Sequence, residues 1–176
     1  MTAATRQRLF FALWPDEQTR GEFARIARTH LPAGGGRPVA TTNVHLTLEF
    51  LGTVDASMRV CAERAADALS MPAFELDFRR LGYWPRPRVL WSAPQATPEP
   101  LERLVATLRE ALAECGHRPE ARPFRAHVTL ARKVRGPVVA ADHAALRWPV
   151  AEFHLMASES GASGVHYRCL KSWPLA

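Results

Sequence analysis

Two short blocks of this 176-residue chain repeat one pattern of chemically active side chains, His45-Leu46-Thr47-Leu48 and His127-Val128-Thr129-Leu130. With seven His and eleven Thr in the chain, a His and a Thr two residues apart are expected roughly 0.4 times by chance. Requiring an aliphatic residue between them and a Leu after them lowers that to about 0.02, so the pair is a signal. In a strand, alternate side chains share a face. His45 and Thr47 therefore point one way, and Leu46, Leu48 and Phe50 the other. His127 and Thr129 likewise oppose Val128 and Leu130. Each strand has a dry face for the core and a face carrying an imidazole and a hydroxyl about 7 Å apart. By the same alternation Asn43 and Glu49 join the first polar face, and Arg125, Ala131 and Lys133 the second.

Two such faces side by side at a groove would suit phosphodiester chemistry without a metal. A neutral imidazole removes a proton from water or a hydroxyl, and a protonated one gives a proton to the leaving alkoxide. Imidazole serves both tasks because its pKa lies near working pH. The Thr hydroxyls can donate to the non-bridging phosphate oxygens, where transition-state charge sits, and Arg125 can add positive charge. Which imidazole is acid and which base is open at this level. A zinc hydrolase would need acidic or further His ligands at fixed spacing, such as H-E-x-x-H, and Thr is a poor zinc ligand. "SESGASG", from Ser158, lacks the G-x-S-x-G order of a serine hydrolase and reads as a loop. "LPAGGGRPVA" lacks the Lys-Ser/Thr ending of a phosphate-binding loop and reads as a flexible connection.

The elements that must position these residues follow from periodicity and punctuation. Arg8 to Trp14 reads as a strand. Asp16 caps a helix from about Glu17 to His30. The first motif strand runs from Val44 to Gly52, and Asp55 starts a helix to about Ser70, with Met58, Cys61, Ala62 and Ala65 on its apolar face. "FELDF" from Phe74 alternates like a half-buried strand. "YWPRPR" connects it to a strand from Val89. Thr97, Pro98 and Glu99 make a helix start, and Gly116 ends that helix just after Cys115. The second motif strand spans Phe124 to Lys133, and two more strands lie near Phe153 and Tyr167. Three helices on sheets built from hairpins indicate α+β rather than a doubly wound parallel sheet.

Composition narrows the class further. Hydrophobic residues at 47% and charged residues at 23% fit a folded globular chain and argue against disorder. No apolar run approaches the roughly 20 residues of a membrane-spanning helix, and "LFFAL" is shorter than the roughly 7–15 of a secretory signal. A cytoplasmic location is the expectation. Cys61, Cys115 and Cys169 are odd in number and far apart, which indicates neither a disulfide framework nor a zinc site. They read as small core residues. A formal charge of +6 favours polyanionic partners, although it is dispersed along the chain.

At this point the chain resembles the 2H phosphoesterases, specifically the bacterial and archaeal RNA 2′,3′-cyclic phosphodiesterases, also called 2′-5′ RNA ligase-like proteins. The resemblance rests on the paired motifs within "NVHLTLEFLGTVD" and "RPFRAHVTLAR", with "RLFFALWPDEQTR" before them and "YRCLKSWPL" after. It implies one bilobal α+β domain over residues 1–176, with two antiparallel or mixed sheets lining a central cleft, helices outside, and lobes related by a pseudo-two-fold axis. It implies hydrolysis of a terminal 2′,3′-cyclic phosphate on RNA to a 2′-phosphate. By motif, His45 resembles the proton donor, His127 the proton acceptor, and Thr47 and Thr129 the phosphate-holding residues. Arg132 also fits the family pattern, although pleating sends it to the face opposite His127. The expectations are an RNA with a cyclic phosphate end, or a small cyclic nucleotide, as partner, no cofactor, metal or membrane, and a monomer. The alternatives are 2′-5′ RNA end joining at the same site and a non-catalytic RNA-binding module. His30, His117, His143, His154 and His166 lack the following Thr and read as structural or exposed. Trp14, Tyr83, Trp84, Trp91 and Tyr167 are candidates for stacking a base.

Overall fold

The computed structural model describes residues 6–138, 141–162 and 164–176. Two of its three helices begin where the sequence places caps. In α1 (Glu17–His30) the Asp16 carboxylate accepts the Thr19 amide at 2.7 Å, and in α2 (Ala56–Asp67) Asp55 accepts the Met58 amide at 2.9 Å. Each bond satisfies a donor that the first helical turn leaves open. In α3 (Glu99–Ala113) the cap position is Pro98, with no side-chain hydrogen bond. Thr97 is therefore not the cap, and the start rests on proline geometry and early acids instead.

The strands are β1 (Gln7–Leu13), β2 (Arg37–Pro38), β3 (Leu46–Val54), β4 (Phe74–Trp84), β5 (Val89–Pro94), β6 (Val128–Arg132), β7 (Ala141–Val150), β8 (Glu152–Gly161) and β9 (Gly164–Pro174). They run β7-β4-β5-β6-β3-β1-β8-β9, every pairing antiparallel, with β2 added beside β6. Two four-stranded halves thus meet where β6 touches β3, through the one pair Leu46 and Val128. The halves are built alike: β1-α1-β3 in one matches β5-α3-β6 in the other. Each helix crosses over, α1 packing on β6 and β7, and α3 on β3. Leu9, Phe11 and Leu13 of β1, Phe23 of α1, and Leu104 and Leu108 of α3 share one buried core with Phe78 and Phe153. This interlock holds the central strands from the helix side and leaves their other face open.

Several sequence expectations change here. The glycine-rich segment contains β2, whose Arg37 pairs with Arg132 and Pro38 with Ala131. β7 gave no sequence signal. Its neighbours in the chain, residues 139–140, lie outside the described residues. β8 continues through Gly161 into a hairpin with β9, so Ser158 is in a strand and not a loop. The second motif strand begins at Val128, later than expected. Cys61 and Cys115 form a disulfide that ties α2 to the end of α3. The sequence reading missed it because their separation of 54 residues is invisible to spacing rules, and only packing α2 on α3 brings the thiols together. Cys169 is free and exposed.

Candidate active site

Each motif strand carries an irregularity in the same place, directly after its Thr, and β3 has a second one further on, at Leu51. Along β1 the register passes from Phe11 opposite Glu49 to Ala12 opposite Thr47, so Leu48 is the extra residue of a bulge. Along β5 it passes from Leu90 opposite Ala131 to Trp91 opposite Thr129, which makes Leu130 the extra residue. A bulge reverses the alternation beyond it. Leu48 and Glu49 are both buried and Phe50 is exposed; Leu130 and Ala131 are both buried and Arg132 is exposed. Glu49 therefore leaves the polar face on which simple alternation puts it, and Phe50 enters. Arg132 likewise turns to the cleft, although regular pleating sends it away.

The pair Leu46–Val128 sets the register of the centre. Continued one residue each way, it places His45 across from Thr129 and His127 across from Thr47. His45, Thr47, Thr129 and Arg132 line one cavity of about 770 Å³, with Arg8, Phe10, Phe50 and Tyr167. His127 lines an adjoining cavity of about 590 Å³, which shares Thr47 and Phe50 with the first. Arg125 belongs to this second space, together with Trp84, Arg86, Arg122 and Phe124. Thr47 lines both spaces: His45, Thr129 and Arg132 join it in the first, His127 and Arg125 in the second.

Both imidazoles are aimed by the backbone two residues earlier. His45 Nδ1 lies 2.7 Å from the Asn43 carbonyl, and His127 Nδ1 lies 2.7 Å from the Arg125 carbonyl. A carbonyl only accepts, so Nδ1 carries the hydrogen in both rings and Nε2 remains for a reacting atom. Trp14 stacks on His45 at 5.0 Å, with Phe10 and Tyr167 each at 5.1 Å. Burial among these rings pushes the His45 pKa down to about 4, against the Asn43 hydrogen bond that raises it, and the charges of Arg132 and His127 lower it further. His127 meets Trp84 at 4.7 Å. Its pKa is also lowered, by burial first and by Arg132 as well, while the Arg125 carbonyl raises it. Gly82 makes the Trp84 wall possible. A Cβ there would lie 2.0 Å from the Trp91 ring, which in turn packs on Trp84.

Of the aromatic candidates, Trp14 and Tyr167 flank His45 and Trp84 flanks His127. Phe10 and Phe50 were missed. Phe10 sits in a continuous apolar run where no alternation is visible, and Phe50 reaches the cleft only through the bulge. Among the other histidines, His117 bonds Glu49, His143 bonds Ser92 and His154 is buried against Ser172. Among the described residues no group of three or more His, Cys, Asp or Glu is placed to hold a metal ion. No helix of the described residues is long and apolar enough to cross a membrane.

The sequence and the fold have counterparts in known proteins. The family described as the 2'-5' RNA ligase superfamily matches residues 15–162. The chain belongs to that superfamily. It is 36% identical over 171 residues to the RNA 2',3'-cyclic phosphodiesterase of Escherichia coli K12, covering 96% of this chain and 97% of that protein. The protein of the same description from Thermus thermophilus is 32% identical over 186 residues, covering 96% and 90%. The crystal structure of E. coli LigT complexed with 3'-AMP matches the fold with a TM-score of 0.91 at 35% identity, covering 97% of this chain and 99% of that one. Superfamily membership and the α+β fold therefore agree.

Proposed function

We propose that this superfamily member is an RNA 2′,3′-cyclic phosphodiesterase that opens a terminal cyclic phosphate to a 2′-phosphomonoester. The observation that carries the reading is the meeting of the two motif strands at Leu46–Val128, with His45, Thr47, Thr129 and Arg132 in one cavity and His127 at its border. The names of the relatives support the same activity. The whole chain acts as one bilobal domain, a reading supported by a core that runs through both halves.

In the reaction, the cyclic phosphate sits between the imidazoles. Thr47 and Thr129 donate hydrogen bonds to its non-bridging oxygens, and Arg132 balances its charge. His127 Nε2, neutral, takes a proton from the attacking water. The new P–O bond forms as the P–O3′ bond breaks, and His45 Nε2–H delivers its proton to O3′. A His45 pKa near 4 leaves the free enzyme mostly without that proton at neutral pH. The bound phosphodiester anion restores it, because a nearby negative charge favours the imidazolium. Substrate binding thus arms the acid. Arg86, Arg122 and Arg125 around the second cavity suit a polyanionic RNA strand. The reaction runs without a metal ion, on a monomer.

The test is incubation of the pure protein, in EDTA, with an oligoribonucleotide ending in a 2′,3′-cyclic phosphate, followed by identification of the product. A 2′-phosphate is expected. An unchanged end, a 3′-phosphate, or activity that requires added zinc would overturn the assignment.

A further inference from the structure

The most deeply buried charge near the centre takes no part in the chemistry above. Glu49 is 3% exposed, and its carboxylate accepts from Arg109 Nε at 2.5 Å and from His117 Nε2 at 2.9 Å. Arg109 lies on α3, and His117 follows its end, one residue past Gly116, whose φ of +80° turns the chain. A charge so buried is costly without partners, so its position needs a reason. Glu49 directly follows the bulged Leu48, two residues after Thr47 and one before Phe50.

The matching bulge in β6 is held by other means. Ala131 stands where Glu49 does and has no polar side chain. There β2 supports the backbone, with Pro38 opposite Ala131 and the Val39 amide donating to the Leu130 carbonyl at 2.9 Å. Among the described residues no strand does this for Leu48. From this contrast we propose that Glu49, gripped by Arg109 and His117, is the positioning residue of the first motif: it fixes the bulge after Thr47 and so aims the Thr47 hydroxyl and the Phe50 ring into the cleft. Arg109 and His117 are its partners from α3 and the turn after it; Glu49 and Arg109 also reach the wall of the second cavity, and the role assigned to Glu49 is to hold the bulge. The inference rests on the proposed function for its meaning, because Thr47 is aimed at a phosphate only if the cleft binds one.

The experiment measures kcat and KM for a cyclic-phosphate oligonucleotide, and the Kd of inorganic phosphate, in the wild type, E49A, E49Q and R109M. Misplacing a reacting group by about 1 Å costs about 10²-fold, so E49A should lose about 10- to 100-fold in kcat/KM, with phosphate affinity falling in parallel. E49Q, which keeps an acceptor for Arg109, should rescue most of that loss. R109M, at a partly exposed helix position, guards against a misfolded E49A, and should weaken phosphate binding on its own. Fewer folded molecules would lower the apparent kcat and leave KM and the phosphate Kd unchanged. That result, or values within twofold of wild type for both E49A and R109M, would overturn the clamp. A wild type that leaves the cyclic end intact would instead overturn the proposed function.

Discussion

The two motif strands have the same shape and different surroundings. From Leu46 and from Val128 the burial runs identically, buried, half-buried, buried, buried, exposed. Each histidine bonds the carbonyl two residues before it, at 2.7 Å in both cases. Yet the first bulge is flanked by a buried ion cluster and the second by a two-residue strand. His45 sits among Trp14, Phe10 and Tyr167, whereas His127 meets Trp84. The comparison teaches that a near-symmetric frame can place two like groups while unlike neighbours give them different acidities. The imidazole with three aromatic neighbours is the one driven down to about 4. Frame and tuning are thus carried by different residues and are separable by mutation.

The largest test of the frame removes its chemistry. His45→Ala and His127→Ala should each lower the turnover of a cyclic-phosphate oligonucleotide by about 10²–10⁴. Steady-state rates that fall less than tenfold for both would reject their roles. Next comes the tie on the helix side of the first strand. The disulfide closes a loop of 54 residues, for which chain entropy gives roughly 4 kcal/mol. A Cys61→Ala/Cys115→Ala protein should melt about 10 °C lower, read by thermal denaturation. An unchanged melting temperature would mean that the bond adds nothing to the fold.

Smaller effects sharpen the difference between the strands. Arg132 and Phe50 hold equivalent places, but only Arg132 carries charge. Arg132→Met should raise KM about tenfold by removing a charged hydrogen-bond partner of the phosphate. It should also raise the pKa of both histidines, since Arg132 depresses each. An unaltered KM would place the arginine outside the site. The pH dependence is finer still. His127 must be neutral to act, so activity falls at low pH as it protonates; His45 must be protonated, so activity falls as pH rises through its pKa. Both pKa values lie below the ordinary imidazole value in the free protein. The bell of kcat/KM should therefore centre below pH 6.5, with the basic limb of kcat displaced to higher pH by the bound anion. A kcat/KM flat from pH 5 to 9 would contradict two titrating imidazoles.

Much of this was legible in the chain itself. Asp16 and Asp55 announce two helix starts, and the doubled motif names four of the central side chains. What escaped notice depends on tertiary pairing. A one-residue bulge has no signature in "HLTLEF" or "HVTLAR", yet it decides that Glu49 turns inward while Phe50 and Arg132 turn to the cleft. Cys61 and Cys115 meet only because α2 packs on α3. β2 is two residues long and exists only because the end of β6 offers it an edge.

The central claim is that both imidazoles serve one anion. Its most direct test is an NMR titration of the His45 and His127 ring signals, with and without inorganic phosphate. If the account is right, phosphate raises the pKa of both rings, His45 the more because it starts lower. If one ring responds and the other titrates as in the free protein, the two do not share a phosphorus centre and the account fails.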